Sequence, residues 1–209
     1  MIEVNGWWLP HKSDHFVKKA KKFLPKEGYQ TGQRKISLKD LPNKRVAIDV
    51  GAHVGLWSKD LANHFERVIA IEPVIEHLEC FRKNVSAENV EIIQAAVGET
   101  MGTCDLAFYK ENSGKTHRIE GTTYPLITID SLNLDIVDYI KIDVEGFEKQ
   151  VLLGAKETID RCNPRIVIEI KKMPHLHDNA EFEAQEYLLS IGYSKYGKHG
   201  TDHIFSRSI

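Results

Sequence analysis

Cysteine is scarce in this chain. Cys80, Cys104 and Cys162 are the only three, far apart and without a C-x-x-C pair. That usage excludes a disulfide framework and a zinc knuckle. No apolar run is long enough to cross a bilayer. The stretch MIEVNGWWLPHKSDHF has neither a continuous apolar core nor a small-residue cleavage site, so it is not read as a signal peptide, and a cytoplasmic address is expected. An excess of one charge is missing as well. The 28 Lys and Arg against 30 Asp and Glu leave −2, which offers no global footprint for nucleic acid or an anionic membrane. Internal repeats and low-complexity segments are absent. What remains is ordinary globular material: 209 residues, 42% of them hydrophobic, suffice for one domain with a sizeable core.

Residues 1–44 read as an N-terminal extension, helical in part and packed on or near the active site. Phe16, Val17, Ala20, Phe23 and Leu24 mark one helix face, and Lys18, Lys19, Lys21 and Lys22 cover the rest as a solvated surface. Trp7 and Trp8 are expected to anchor the extension by packing. From residue 45 strand and helix patterns alternate. RVAIDV (45–50), RVIAIE (67–72), VEIIQAAV (90–97), DIVDYIKID (135–143) and RIVIEI (165–170) read as buried strands. Between them lie helices over 56–65, from Pro73 through Val85, along Phe147, Val151, Ala155 and Ile159, and over 180–189. GTCDLAFYK and TTYPLITID flank a polar loop, 109–121, while YSKY (193–196) and HIFSRS (203–208) close as an antiparallel pair. Strands separated by helices predict a doubly wound α/β domain, 45–209, with a mostly parallel sheet.

In such sheets ligands sit beyond the carboxyl ends of the strands, where strand order reverses. AIDVGAHVGLW (47–57) supplies the first such turn, with Gly51 and Gly55. A dinucleotide fingerprint needs a glycine where His53 stands, and a P-loop needs a lysine where Leu56 stands. Both pyrophosphate readings therefore weaken. The acidic partner survives, because Glu72 ends the second strand 21 residues past Gly51, the place from which a carboxylate takes a ribose diol. A ribose site without a pyrophosphate cradle fits S-adenosylmethionine. Its amino-acid end would lie on the Gly51–Gly55 turn, and its sulfonium would tolerate Asp49. Ala52 and His53 inside the turn, and Pro73 after the acid, join the cofactor-binding candidates.

A second acidic strand end follows. In DYIKIDVEGFEKQVLLGA (138–155), Lys141 and Asp143 share one face of a strand, and a buried ammonium there calls for a partner in Asp49, Asp143 or Glu169. Asp143, Glu145 and Gly146 emerge toward the ligand crevice. A hydroxyl acceptor must shed a proton during methyl transfer, and a carboxylate or histidine within reach can take it. Asp143, Glu145 and His175 are the catalytic candidates. A divalent metal on Asp143, Glu145 and Glu169 is an alternative that spacing does not select, and no metal ligand is predicted. His117 and Arg118, in the polar loop, are placed to contact an anionic acceptor.

The combination AIDVGAHVG, AIEP, DSLNLDIVDYIKIDVEGFEKQVLLGA and RIVIEI resembles the FkbM-type family of S-adenosylmethionine-dependent methyltransferases, from about Arg45 to Ile209. The resemblance implies the class I sheet of seven strands with its last two antiparallel, and O-methylation, often on sugars or sugar-bearing metabolites. It carries the cofactor role onto Asp49, Gly51, Gly55 and Glu72, and the signature strand end onto Asp143, Glu145 and Gly146. Within QAAVG it places Gln94, Ala95 and Ala96 near the adenine. A small-molecule or glycan acceptor is the expected partner; acceptor identity and oligomeric state are not implied. The alternatives are a non-catalytic S-adenosylmethionine-binding module, an RNA ribose methyltransferase and, least favoured by His53, a nicotinamide-dependent oxidoreductase. Nucleobase methylation lacks support, since the chain has no Pro-Pro pair and no cysteine after a proline.

Overall fold

The computed structural model describes residues 1–10, 17, 18, 20, 21, 30–108, 116–172 and 182–207. Seven strands make the main sheet: β3 (Val46–Val50), β4 (Arg67–Ile71), β5 (Val90–Ile93), β9 (Tyr139–Ile142), β10 (Arg165–Glu169), β11 (Ser194–His199) and β12 (Asp202–Ser206). They lie in the order β11-β12-β10-β9-β3-β4-β5. The strands β5, β4, β3, β9 and β10 are mutually parallel, and β12 runs antiparallel to both β10 and β11. The chain builds outward from β3 through β4 to β5, then returns to the other side of β3 at β9. Strand order therefore reverses between β3 and β9, whose carboxyl ends carry the two turns singled out by the sequence.

Alternation within the strands sorts side chains to two faces. Ile48, Val50, Ile69, Ile71, Ile140, Ile142, Ile166 and Ile168 pack on one side with Val151, Leu152 and Ile159. Those last three come from helices α4 (Glu148–Leu153) and α5 (Lys156–Cys162). On the other side Ala47, Tyr139, Val167 and Ile204 meet Leu38, Trp57 and Leu61, from α1 (Thr31–Leu38) and α2 (Leu56–Leu61). Helix α3 (Ile75–Asn84) covers Ala70 with Leu78 and Phe81. No described helix is long and apolar enough to cross a membrane.

Several expectations change. VEIIQAAV is not one strand. After β5 the chain leaves the main sheet, and β6 (Ala96–Val97) joins a separate sheet, pairing β8 (His117–Ile127), which also pairs β7 (Gly102–Ala107). Because β8 begins at His117, the end of the polar loop is strand; residues 109–115 lie outside the described residues. Pro73 stands before α3 and not at its first helical position, and Val74 is the N-cap. The helix through Phe147, Val151, Ala155 and Ile159 is two, broken at Gly154, where a β-carbon would collide with the Gly98 carbonyl oxygen at 2.0 Å.

The N-terminal residues also form a hairpin that the sequence reading missed, β1 (Ile2–Val4) and β2 (Trp7–Leu9) around Asn5-Gly6. Both turn residues adopt positive φ, 53° and 78°, as a type I′ turn requires. Its backbone at Trp8 exchanges two hydrogen bonds with the Asn84 amide, at 2.8 and 2.9 Å. Lys59 and Lys83 lie over the rings of Trp7 and Trp8. The tryptophans thus anchor the hairpin to α2 and α3. Of the expected N-terminal helix face, Val17 and Ala20 pack with this hairpin, and Phe16, Phe23 and Leu24 lie outside the described residues.

Candidate functional site

The turn after β3 is left-handed at Gly51 (φ 79°), His53 (φ 50°) and Gly55 (φ 91°). Glycine takes that conformation freely, and a histidine holds it only under the grip of its surroundings. The amides of Gly51 and Ala52 both donate to the Ile71 carbonyl, at 2.9 and 3.1 Å, which locks the turn to the end of β4. Asp49 is buried, and Ser58 Oγ donates to its Oδ2 at 2.6 Å. Burial pushes the Asp49 carboxyl up to about 6, against the opposing pull of Ser58 and Lys141.

Glu72 stands across this turn with both oxygens engaged. Oε2 accepts from the His53 amide at 3.0 Å, and Oε1 from the Val74 amide at 3.0 Å. His77 Nδ1 is 2.9 Å from Oε1, and its ring meets that of His53 edge-on at 4.2 Å. A carboxylate has about four acceptor sites. Three are in use among the described residues, which leaves room for one further donor, on Oε2. Burial, then the neighbouring His77, hold the His53 imidazole well below its ordinary range. Gln94 reaches Pro73, its amide 3.5 Å from the Pro73 carbonyl, while Ala52, Ala95 and Ala96 are buried in packing clusters.

Beyond β9 the chain turns through Glu145 (φ 57°) and Gly146 (φ 104°), and Glu148 Oε1 accepts from the Val144 and Gly146 amides at 3.2 and 3.1 Å. The turn brings oxygens of Asp143, Glu145 and Glu169 within 4.8 Å of one another. Lys171 reaches into the same cluster, with Nζ 2.6 Å from Glu145 Oε1 and in contact with Glu169 Oε2. Burial, then the charge of Asp143, push the Glu145 carboxyl up to about 8 and that of Glu169 to about 7. Burial also opposes ionisation of Asp143, but Lys141 and Lys171 outweigh it and hold that carboxyl below its ordinary range.

Lys141 is 1% exposed, and its principal partner is Asp202 of β12 at 3.0 Å, with Asp143 at 3.7 Å. Among the three acids expected to receive it, Asp143 forms the ion pair; Asp49, its register partner on β3, takes a hydrogen bond from Ser58, and Glu169 contacts Lys171. Arg118 of β8 lies over the ring of Phe147, 5.4 Å from its centroid, while His117 is buried. His175, with His177 and Asp178, lies outside the described residues.

Ser58, His77, Lys171 and Asp202 escaped the sequence reading. Lys171 carried the one usable signal. It follows Glu169 by two residues, the spacing that paired Lys141 with Asp143. Asp202 carried none, because its neighbourhood is created by insertion of β12 beside β10.

A family model described as the methyltransferase FkbM domain matches residues 49–195. Among solved structures, methyltransferase FkbM from Methylobacillus flagellatus KT superposes with a TM-score of 0.54 at 22% identity, covering 78% of this chain and 43% of that one. The chain thus spans less than half the length of that relative. Precorrin-6y C5,15-methyltransferase from Geobacter metallireducens GS-15 superposes at 0.50 with 18% identity, covering 87% and 90%. Precorrin 8w decarboxylase from Methanobacterium thermoautotrophicum does so at 0.50 with 17%, covering 87% and 91%. A comparison with curated proteins gives no match.

Proposed function

This chain belongs to the FkbM methyltransferase domain family, and from that premise we propose that it binds S-adenosylmethionine at the β3–β4 edge and transfers the methyl group to a hydroxyl of a sugar or sugar-bearing small molecule. One observation carries the reading: the glycine turn with Glu72 and the Asp143–Glu145–Glu169 cluster flank the point between β3 and β9 where strand order reverses. Glu72 Oε2 accepts a ribose hydroxyl in its one remaining site, Gln94 and Pro73 border the adenine, and the methionine end lies along residues 51–55 beside Asp49. The cationic sulfonium and an ionised carboxylate neutralise each other as the methyl moves, so positioning dominates the catalysis. Asp143 and Glu145 face the acceptor side, where a carboxylate takes the hydroxyl proton.

Titration calorimetry with S-adenosylmethionine, S-adenosylhomocysteine and NAD tests the cofactor. Binding of the first two and not the third is expected; NAD binding alone would overturn the reading. Methyl transfer is then measured on a panel of hydroxyl-bearing sugars and glycosylated metabolites. Asp143→Asn should lower turnover more than cofactor affinity. Equal losses reassign Asp143 to cofactor binding or sheet integrity.

A further inference from the structure

Three carboxylates whose oxygens lie within 4.8 Å cannot all ionise without compensation. Protons, a divalent cation or an ammonium can supply it. Here an ammonium is built in. Lys171 Nζ touches Glu145 Oε1 at 2.6 Å and Glu169 Oε2, and the pull of Asp143, Glu169 and Glu145 on its charge overcomes the cost of burying it. Lys141, 3.7 Å from Asp143 and anchored at 3.0 Å by Asp202, supports the third carboxylate from below. A magnesium ion demands a near-octahedral set of oxygens. Lys171 has already claimed one oxygen from each of two of the three acids. What it leaves is equally specific: Glu145 Oε2 is buried and has no hydrogen-bond partner among the described residues, so it is an acceptor awaiting a donor.

We infer that Lys171 is the resident cation of this carboxylate cluster, a positioning residue that holds Glu145 by Oε1 and presents Oε2 to the acceptor hydroxyl, in the place where a divalent metal would otherwise be needed. Its catalytic meaning rests on the methyl-transfer reading above; its occupancy of the cluster does not. The step balances without another reactant. The acceptor oxygen forms a bond to the methyl carbon, the carbon–sulfur bond breaks with its electron pair going to sulfur, and the hydroxyl proton passes to Oε2 of the ionised Glu145 carboxylate, a form that grows as pH rises toward about 8. The sulfonium and carboxylate charges vanish together, and the Lys171 charge is unchanged throughout.

The test is a calorimetric titration of the full chain with Mn²⁺, in parallel with S-adenosylhomocysteine. The unsubstituted protein is expected to show no saturable Mn²⁺ site. Lys171→Met, which keeps the stem and removes the charge, should acquire one Mn²⁺ per chain, and Lys171→Arg should acquire none. Lys171→Gln is run beside Lys171→Met in case the latter does not fold. A stoichiometric Mn²⁺ site in the unsubstituted chain that disappears in Glu169→Gln overturns the inference. So does a folded, neutral Lys171 variant that takes up no ion. Failure of S-adenosylhomocysteine to bind the unsubstituted chain would strike the donor reading alone and leave the Mn²⁺ result standing.

Discussion

A β-carbon built on Gly51 would stand 2.0 Å from the carbonyl oxygen of Asp143. The turns after β3 and β9 touch through backbone, and no side chain fits between them. Gly51→Ala should therefore cost more than the backbone penalty of a left-handed residue, which is about 1–3 kcal/mol. Gly6 is the control: it has nearly the same φ, 78° against 79°, and nothing within 4 Å of the added carbon. Urea unfolding of the two variants checks this. Equal losses would mean the two turns part easily.

Glu72→Gln keeps one acceptor oxygen in the shape of the original and removes the charge. A charge-assisted hydrogen bond contributes roughly 1.5–3 kcal/mol, so affinity for S-adenosylhomocysteine should fall by about tenfold to over a hundredfold. His77→Leu removes the contact at Oε1 and the edge-on ring contact with His53 but leaves the carboxylate in place, and its effect should be smaller, roughly 0.5–1.5 kcal/mol. Calorimetry on both decides it. Unchanged affinity in Glu72→Gln would remove that carboxylate from the ribose.

Lys141→Met should be severe because it leaves Asp202, fully buried, without its counter-charge. Breaking a buried pair from one side costs about 3–5 kcal/mol. The double variant Lys141→Met with Asp202→Asn should recover much of that loss. Urea midpoints of the two singles and the double complete the cycle; additive losses would show that the pair does not interact.

Stability should fall as pH rises through the range set by the acidic cluster. Glu145 and Glu169 titrate near 8 and 7 in the fold against 4.5 ordinarily. Between those values the folded chain binds more protons than the unfolded one, so stability decreases with rising pH. The loss begins above about 4.5 and is complete just above 8. Denaturant midpoints across this interval should show the slope, and Glu145→Gln should flatten it. A midpoint that climbs with pH through the same interval contradicts the assignment.

The strand cores and the turns after β3 and β9 were legible because period-two alternation and left-handed glycines act within a few residues. AIDVGAHVG and DVEG announce themselves that way, and so does the carboxylate closing β4. The end of VEIIQAAV was misread because Ala96 and Val97 are as apolar in the small sheet as they would be in the large one. The break at Gly154 was hidden for a similar reason: the Gly98 carbonyl that leaves no room for a side chain there is a neighbour remote in sequence.

By itself the sequence determined the parallel α/β plan, the glycine turn and the acids that end β4 and β9, since these follow from local periodicity and backbone freedom. Only the tertiary structure decided which charges meet. Lys141 finds Asp202 because β12 inserts beside β10, and Lys171 settles between Glu145 and Glu169 because the left-handed turn after β9 brings the first acid back to the second. Pairing of buried charges depends on distances across strands, and chain order does not encode those distances.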